Sequence, residues 1–309
     1  DATGTLARPN LTGISIGTSG NTIGGPNAVD RNVISGNAGY GLRLEGSGTT
    51  NTLENNFVGL QSDGTTSLLN TNGAMLVTNG NTLKGTDTFN GNVVNQGSIA
   101  PGNSPGIITI NGNYTQSGIA TLDIELEGTN AATPEFDQLI VNGTVSLAGT
   151  LNVSLLNNYL PSQGESFRII DNDGSDAITG TFSGLAEGAT FTGGNSKFSI
   201  TYVGGTGNDV VLTNLYTTFF VTTTTDSGAG SLRQAMLDAN SHPGSDVIAF
   251  DIPTSDTNFD SLLNVWTITP TSALPIITST VNIDGTSQSG FATRPVIELR
   301  GDSAGTDVH

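Results

Sequence analysis

The chain has no cysteine among its 309 residues, two histidines, one tryptophan and only nine Lys and Arg together. Each shortage removes a class of chemistry. Without Cys there is no thiol nucleophile, no Cys/His zinc site and no disulfide staple. With His242 and His309 as the whole histidine complement, a Ser-His-Asp hydrolase has one internal candidate. His242 stands before Pro243 and Gly244, a turn context that places it on the surface, and His309 is read as a surface residue too. Nine cations against 27 Asp and Glu leave a formal charge of -18, with Lys and Arg scattered, so nucleic acid and anionic membranes are poor partners. Divalent cations and cationic surfaces stay open. No apolar run approaches the ~18 residues that cross a bilayer, so no membrane-spanning segment is expected. The sole Trp266 falls in an alternating run and reads as core, while Tyr40, Tyr114, Tyr159, Tyr202 and Tyr216 are too far apart in sequence to suggest a stacking platform.

What the chain has in excess is Gly, 42 residues of it, with Asn and Thr. These residues serve turns and β surfaces rather than helix interiors, so the expected class is all-β. An internal repeat refines this. Asn21-Thr22-Ile23, Asn51-Thr52-Leu53 and Asn81-Thr82-Leu83 recur at a constant spacing, and the first and third are followed at equal distance by Asn32-Val33-Ile34 and Asn92-Val93-Val94. Between them lie short alternating stretches such as Leu42-Arg43-Leu44-Glu45, bounded by Gly or Asn. Short strands joined by turns, with no helix between, predict a parallel β-solenoid whose strands stack on their counterparts one repeat later. Inward apolar residues then form columns, and corner Asn residues form amide ladders.

Three segments follow in tandem. Residues 1–96 read as the later coils of a β-helix. Gly20-Asn21-Thr22-Ile23-Gly24-Gly25 and Arg31-Asn32-Val33-Ile34-Ser35-Gly36-Asn37 resemble the right-handed parallel β-helix repeats of large bacterial surface and secreted proteins. Residues 97–215 open on Pro101-Gly102-Asn103-Ser104-Pro105-Gly106, continue through Asp137-Gln138-Leu139 and Gly149-Thr150-Leu151, and close on Gly204-Gly205-Thr206-Gly207-Asn208-Asp209. That order resembles the passenger-associated repeat of autotransporters, which implies an extracellular β-solenoid segment without catalytic residues. No membrane barrel follows it here, so export by the autotransporter route is not assumed. Residues 216–309 contain the single expected helix, near 231–240, with Ser231 as N-cap and Leu232, Ala235, Met236 and Ala239 on one stripe. Its phrase Gly230-Ser231-Leu232-Arg233-Gln234-Ala235 is similar to helices that open β-helix domains, and short β runs follow it. The helix is therefore expected to cap the first coils of a second β-helix.

With the first segment entered in mid-coil at Asp1 and the last left in mid-coil at His309, the sequence suggests one period of a longer assembly. Copies would join head to tail, in one giant chain or by strand addition. The expected function is structural or adhesive, extracellular or on the bacterial cell surface, and not enzymatic; the alternative is a carbohydrate-binding or polysaccharide-cleaving β-helix with surface glycans as partners. Polygalacturonase-like phrases are absent, and Arg43 and Glu45, alternating with Leu42 and Leu44, read as the solvent side of a strand. Asp30 and Arg31 read as outer-face residues. Gly204 to Gly207 precedes a strand rather than a helix, so it is no phosphate loop. No cofactor is expected, with calcium the one ion the composition admits. Asp171, Asp173 and Asp176 sit in an acidic Gly-containing turn, and Asn208 and Asp209 end a stretch resembling one turn of a calcium-binding nonapeptide repeat. The alternative for both is an ordinary acidic turn.

Overall fold

The computed structural model describes residues 4–46, 49–102 and 105–304. Asp1, Asn103, Ser104 and His309 lie outside the described residues. The fold is all-β, mostly parallel, with one α-helix among the described residues. Two compact units are present. The first comprises Asp1–Tyr159, Ser166–Gly194 and Ser199–Thr213, and the second Leu160–Glu165, Asn195–Phe198 and Asn214–His309. The change of sequence character near residue 97 falls inside the first.

The first unit is built from triplets of short strands. They are β1 (Ile14–Ile16), β2 (Thr22–Gly24) and β3 (Val33–Ile34); β4 (Tyr40–Leu44), β5 (Thr49–Glu54) and β6 (Phe57–Val58); β7 (Gly73–Val77), β8 (Asn81–Gly85) and β9 (Thr88–Asn90). Three more triplets follow: β10 (Val93–Asn95), β11 (Ser98–Pro101) and β12 (Ile107–Asn111); β13 (Tyr114–Gln116), β14 (Thr121–Leu126) and β15 (Gln138–Val141); β16 (Val145–Leu147), β17 (Thr150–Leu155) and β18 (Ser166–Asn172). Each strand pairs in parallel with the third strand after it, which sorts the triplets into three sheets. Within a strand the pleat alternates side chains inward and outward. Parallel register therefore stacks like positions into columns. Ile14, Leu42, Met75, Val93, Tyr114 and Val145 form one, and Ile34, Val58, Phe89, Ile110, Val141 and Asn172 another. Most members are shut off from solvent.

Corners are sharp because Gly and Asn accept positive φ. The two-residue β6 is bracketed by Asn55 at φ 57° and Gly59 at φ 80°. A Cβ on Gly59 would lie 1.9 Å from the Asn90 carbonyl oxygen, so the layers meet there only through glycine.

The constant repeat spacing does not survive as register. Thr22 pairs with Thr52, so Asn21 stands opposite Asn51, but Asn51 pairs with Leu83 while Asn81 pairs with Thr49. A slip of two residues preserves the pleat, and Asn51, Asn81 and Leu83 all remain buried. Likewise Asn32 borders β3 and Asn92 borders β10, strands of different sheets. Triplet length varies: Met75 follows its partner Leu42 by 33 residues, whereas Val93 follows Met75 by 18. Turns of unequal length absorb the difference.

After β18, the strands β19 (Thr179–Gly180), β20 (Thr190–Gly193) and β21 (Ser196–Gly204) lead to β22 (Asp209–Val221). Here β18 pairs antiparallel with the first part of β22. In the second unit the later part of β22 pairs in parallel with β23 (Ser245–Phe250), and β23 with β26 (Thr280–Asp284). A smaller sheet joins β24 (Phe259–Asp260), β25 (Val265–Ile268) and β27 (Ile297–Leu299). The helix α1 (Leu232–Ser241) starts as its sequence requires, with the Ser231 hydroxyl accepting the Gln234 N–H at 3.2 Å. Leu232, Ala235, Met236 and Ala239 are buried against a core containing Phe219, Val221, Ile248, Phe250 and Trp266. Trp266 is a core residue, stacked on Phe259 with its indole N–H on the Pro253 carbonyl at 3.0 Å.

Candidate functional site

The two stretches read from sequence as calcium candidates come together in the first unit, around a guanidinium. Arg168 Nη1 lies 3.2 Å from Asp171 Oδ1 and 3.3 Å from Asp209 Oδ2. Asp209 is fully buried and also accepts the Asn172 N–H at 2.9 Å. Asn208 is buried and donates its side-chain amide to the Asp173 carbonyl at 2.8 Å, while the Asn172 amide donates to the Asp176 carbonyl at 2.9 Å. Asp173 itself is exposed and Asp176 half-buried. Burial raises Asp171 above the usual carboxylate range, opposed by Arg168 and assisted by Asp209. The cation at this meeting point is thus Arg168, a residue that sequence reasoning passed over. Among the described residues no group of three or more His, Cys, Asp or Glu is arranged to hold a metal ion.

His242 is not the surface residue its turn context suggested. Its side chain is 8% exposed, with Nδ1 2.9 Å from Asp246 Oδ1 and Nε2 3.3 Å from the Leu160 carbonyl oxygen, and Phe219 meets the ring edge-on. The turn after α1 folds the ring inward because Asp246, four residues on, offers it a buried partner. Both ring nitrogens therefore face polar partners, Nδ1 the Asp246 carboxylate and Nε2 the Leu160 carbonyl oxygen. Asp246 is raised above the usual range by burial, opposed by His242.

Arg43 and Glu45 face outward in alternation with the buried Leu42 and Leu44, with Nε and Oε2 3.2 Å apart. Asp30 closes the short turn that begins at Asn27, and Arg31 donates to the Asn55 carbonyl at 2.7 Å while lying over the Phe57 ring.

The most organised polar feature is a set of directional ladders. Asn32 donates its side-chain amide to Asn56 Oδ1 at 2.9 Å, and Asn56 donates its backbone N–H and its amide to the two oxygens of Asp87 at 2.9 and 2.8 Å. In a second ladder Asn37 donates both groups to Asn70 Oδ1 at 3.0 and 2.8 Å. Each of these side-chain acceptors lies in the later layer, while the Asn56 and Asn70 amides also donate back to the Ile23 and Ile34 carbonyls at 2.8 and 3.0 Å. Asp87 sits at the receiving end, where only acceptors are needed, and a carboxylate suffices. Burial pushes it up to about 6 despite the two Asn56 donors. Asp137 is likewise pushed up to about 7 by burial, although the N–H groups of Gly106 and Glu125 bond it at 2.7 and 2.9 Å. Sequence reading expected corner amides from the Asn excess but not which residues pair. The usable signal was local, a polar residue just before each β3, β6 and β9 strand.

Compared with known proteins, the chain finds no counterpart: no family model, no curated protein and no solved structure matches it.

Proposed function

We propose that the chain is a non-enzymatic structural or adhesive protein of the bacterial exterior, built from tandem parallel β-solenoid segments with α1 capping the second. The observation that carries this reading is the unbroken pairing of each strand with the third strand after it through six triplets, from β1 to β18. Such stacking buries a narrow core and satisfies the backbone between layers, which confers stiffness and resistance to proteases. The resemblance of residues 97–215 to autotransporter passenger repeats supports an extracellular setting. The -18 charge fits the same role by keeping stacked surfaces from clumping laterally.

Association between copies is part of the reading. At one edge of the first unit β1, β2 and β3 each have a described partner on one side, and exposed Leu11, Val29 and Val33 lie near them. In the second unit β26 and β27 are edge strands carrying exposed Ile283 and Leu299. Unpaired edges with apolar side chains favour strand addition in series. Negative-stain electron microscopy at rising concentration tests it. Linear multimers are expected, and monodisperse monomers would overturn the non-covalent form.

A further inference from the structure

A cleft of about 580 Å³ in the second unit is bordered by Phe219 and Phe220 of β22, Gln234 and Asp238 of α1, and Asn195 and His242. We propose that this cleft binds an uncharged oligosaccharide. Three features of its lining converge on that class. Phe220 is 43% exposed, an aromatic surface suited to the apolar face of a sugar ring. Around it stand Asn195 and Gln234, each able to donate and accept, and Asp238, which accepts, so alternating hydroxyl donors and acceptors find complements. Gln234 Nε2 holds Asp238 Oδ1 at 2.8 Å, which fixes the carboxylate before a ligand arrives and lowers the ordering cost of binding. No Lys or Arg lines the cleft, so an anionic sugar would meet Asp238 without a counter-charge.

The same geometry selects binding over cleavage. Hydrolysis of a glycosidic bond ordinarily uses two carboxyl groups flanking it. Among the described residues Asp238 is the single carboxylate of the lining, and the nearby Asp246 has a fully buried side chain bonded to His242. His242 reaches the cleft wall with its ring held by Asp246 and the Leu160 carbonyl, so it braces the site. This inference is independent of the structural reading above: a cleft on the second unit binds sugar whether or not copies assemble.

Isothermal titration of the full chain with cellotetraose, chitotetraose and maltotetraose, and with sialyllactose as the anionic comparison, tests the proposal. Binding of at least one neutral tetrasaccharide and none of sialyllactose is expected. Phe220→Ala and Asp238→Asn each weaken that binding at least about tenfold, with the far-UV circular dichroism of both variants retained. No heat from any neutral sugar at about 10 mM overturns the proposal. So does undiminished binding by the Phe220→Ala chain, and release of reducing ends during incubation overturns the choice of binding over cleavage.

Discussion

One inward column of the first unit changes chemistry halfway along. Immediately before β3, β6 and β9 it consists of Asn32, Asn56 and Asp87, joined by hydrogen bonds; in β12, β15 and β18 the same column continues as Ile108, Leu139 and Ile170, all buried. The backbone register is the same kind of parallel pairing in both halves. A stack of parallel strands therefore fixes where a side chain sits and leaves open what it is. The two solutions differ in what they specify. An apolar column gains transfer free energy and tolerates sliding of one side chain against another. An amide column adds little net stability per bond but defines direction and register, since a displaced layer strands a buried donor or acceptor. Where the second repeat slips, that cost is visible: the Asn51 amide nitrogen is buried without a hydrogen-bond partner among the described residues.

The sharpest way to break the comparison is to remove the middle of the amide column. Asn56→Leu takes the side-chain amide donor from the buried Asp87 carboxylate, leaving it the residue-56 backbone N–H, and strips the Asn32 amide of its acceptor; it is expected to cost about 4 kcal/mol in urea unfolding. Asn56→Leu together with Asp87→Leu should recover about half of that loss, because the column then resembles its own second half while the residue-56 N–H gives up its Asp87 acceptor. Failure of the double variant to recover would mean that the amide column does more than satisfy itself.

A second effect comes from pH. Asp87 is raised in the folded chain from 3.8 to about 6. Its contribution to stability is full below the unfolded value and is lost as pH rises through the folded one, a change of about 3 kcal/mol. Asp137, raised to about 7, acts in the same sense. Denaturant titrations should therefore give higher stability at about pH 4.5 than at pH 8. Groups shifted the other way, Asp63 to about 2 together with Asp226 and Asp256, lose their contributions only as pH falls below the ordinary carboxylate value. A profile that instead rises steadily from pH 4.5 to 8 would contradict this assignment.

Asp87→Asn sharpens the same point at smaller scale. The amide keeps an acceptor for Asn56, loses the buried charge, and is expected to stabilise the chain by about 2 kcal/mol at pH 8 with no gain at low pH. The smallest effect belongs outside the columns. Arg43→Ala removes a partly exposed ion pair and should change stability by less than about 0.5 kcal/mol.

Sequence alone conveyed the class of fold and the helix, because both rest on local patterns. Alternation in Leu42-Arg43-Leu44 and Leu122-Asp123-Ile124 announces strands, and Ser231 with the Leu232, Ala235, Met236 and Ala239 stripe announces α1 at nearly its observed bounds. Register was not legible in the same way. Equal spacing of Asn21, Asn51 and Asn81 suggested one column, yet turns of unequal length decide which residues meet, and their lengths carry no apolar signal. The site residues were half legible. Asp171 and Asp209 were picked out by composition, but their shared partner Arg168 lies on a strand where one cation among alternating residues looks like any solvent-facing side chain. His242 was misplaced because the turn that follows α1 was read without the partner four residues further on.

Absence of cysteine makes the central claim directly testable. Neighbouring parallel strands lie about 4.8 Å apart, within reach of a disulfide. Paired substitutions Arg43→Cys with Leu76→Cys in the amide half, and Thr115→Cys with Ser146→Cys in the apolar half, place thiols on outward register partners one triplet apart. Oxidation should cross-link both pairs, whereas Arg43→Cys with Thr52→Cys and Thr115→Cys with Asp123→Cys, on successive strands of different sheets, should stay reduced. Cross-linking of the successive-strand pairs in place of the triplet-spaced ones would contradict a stack in which each strand rests on the third strand after it.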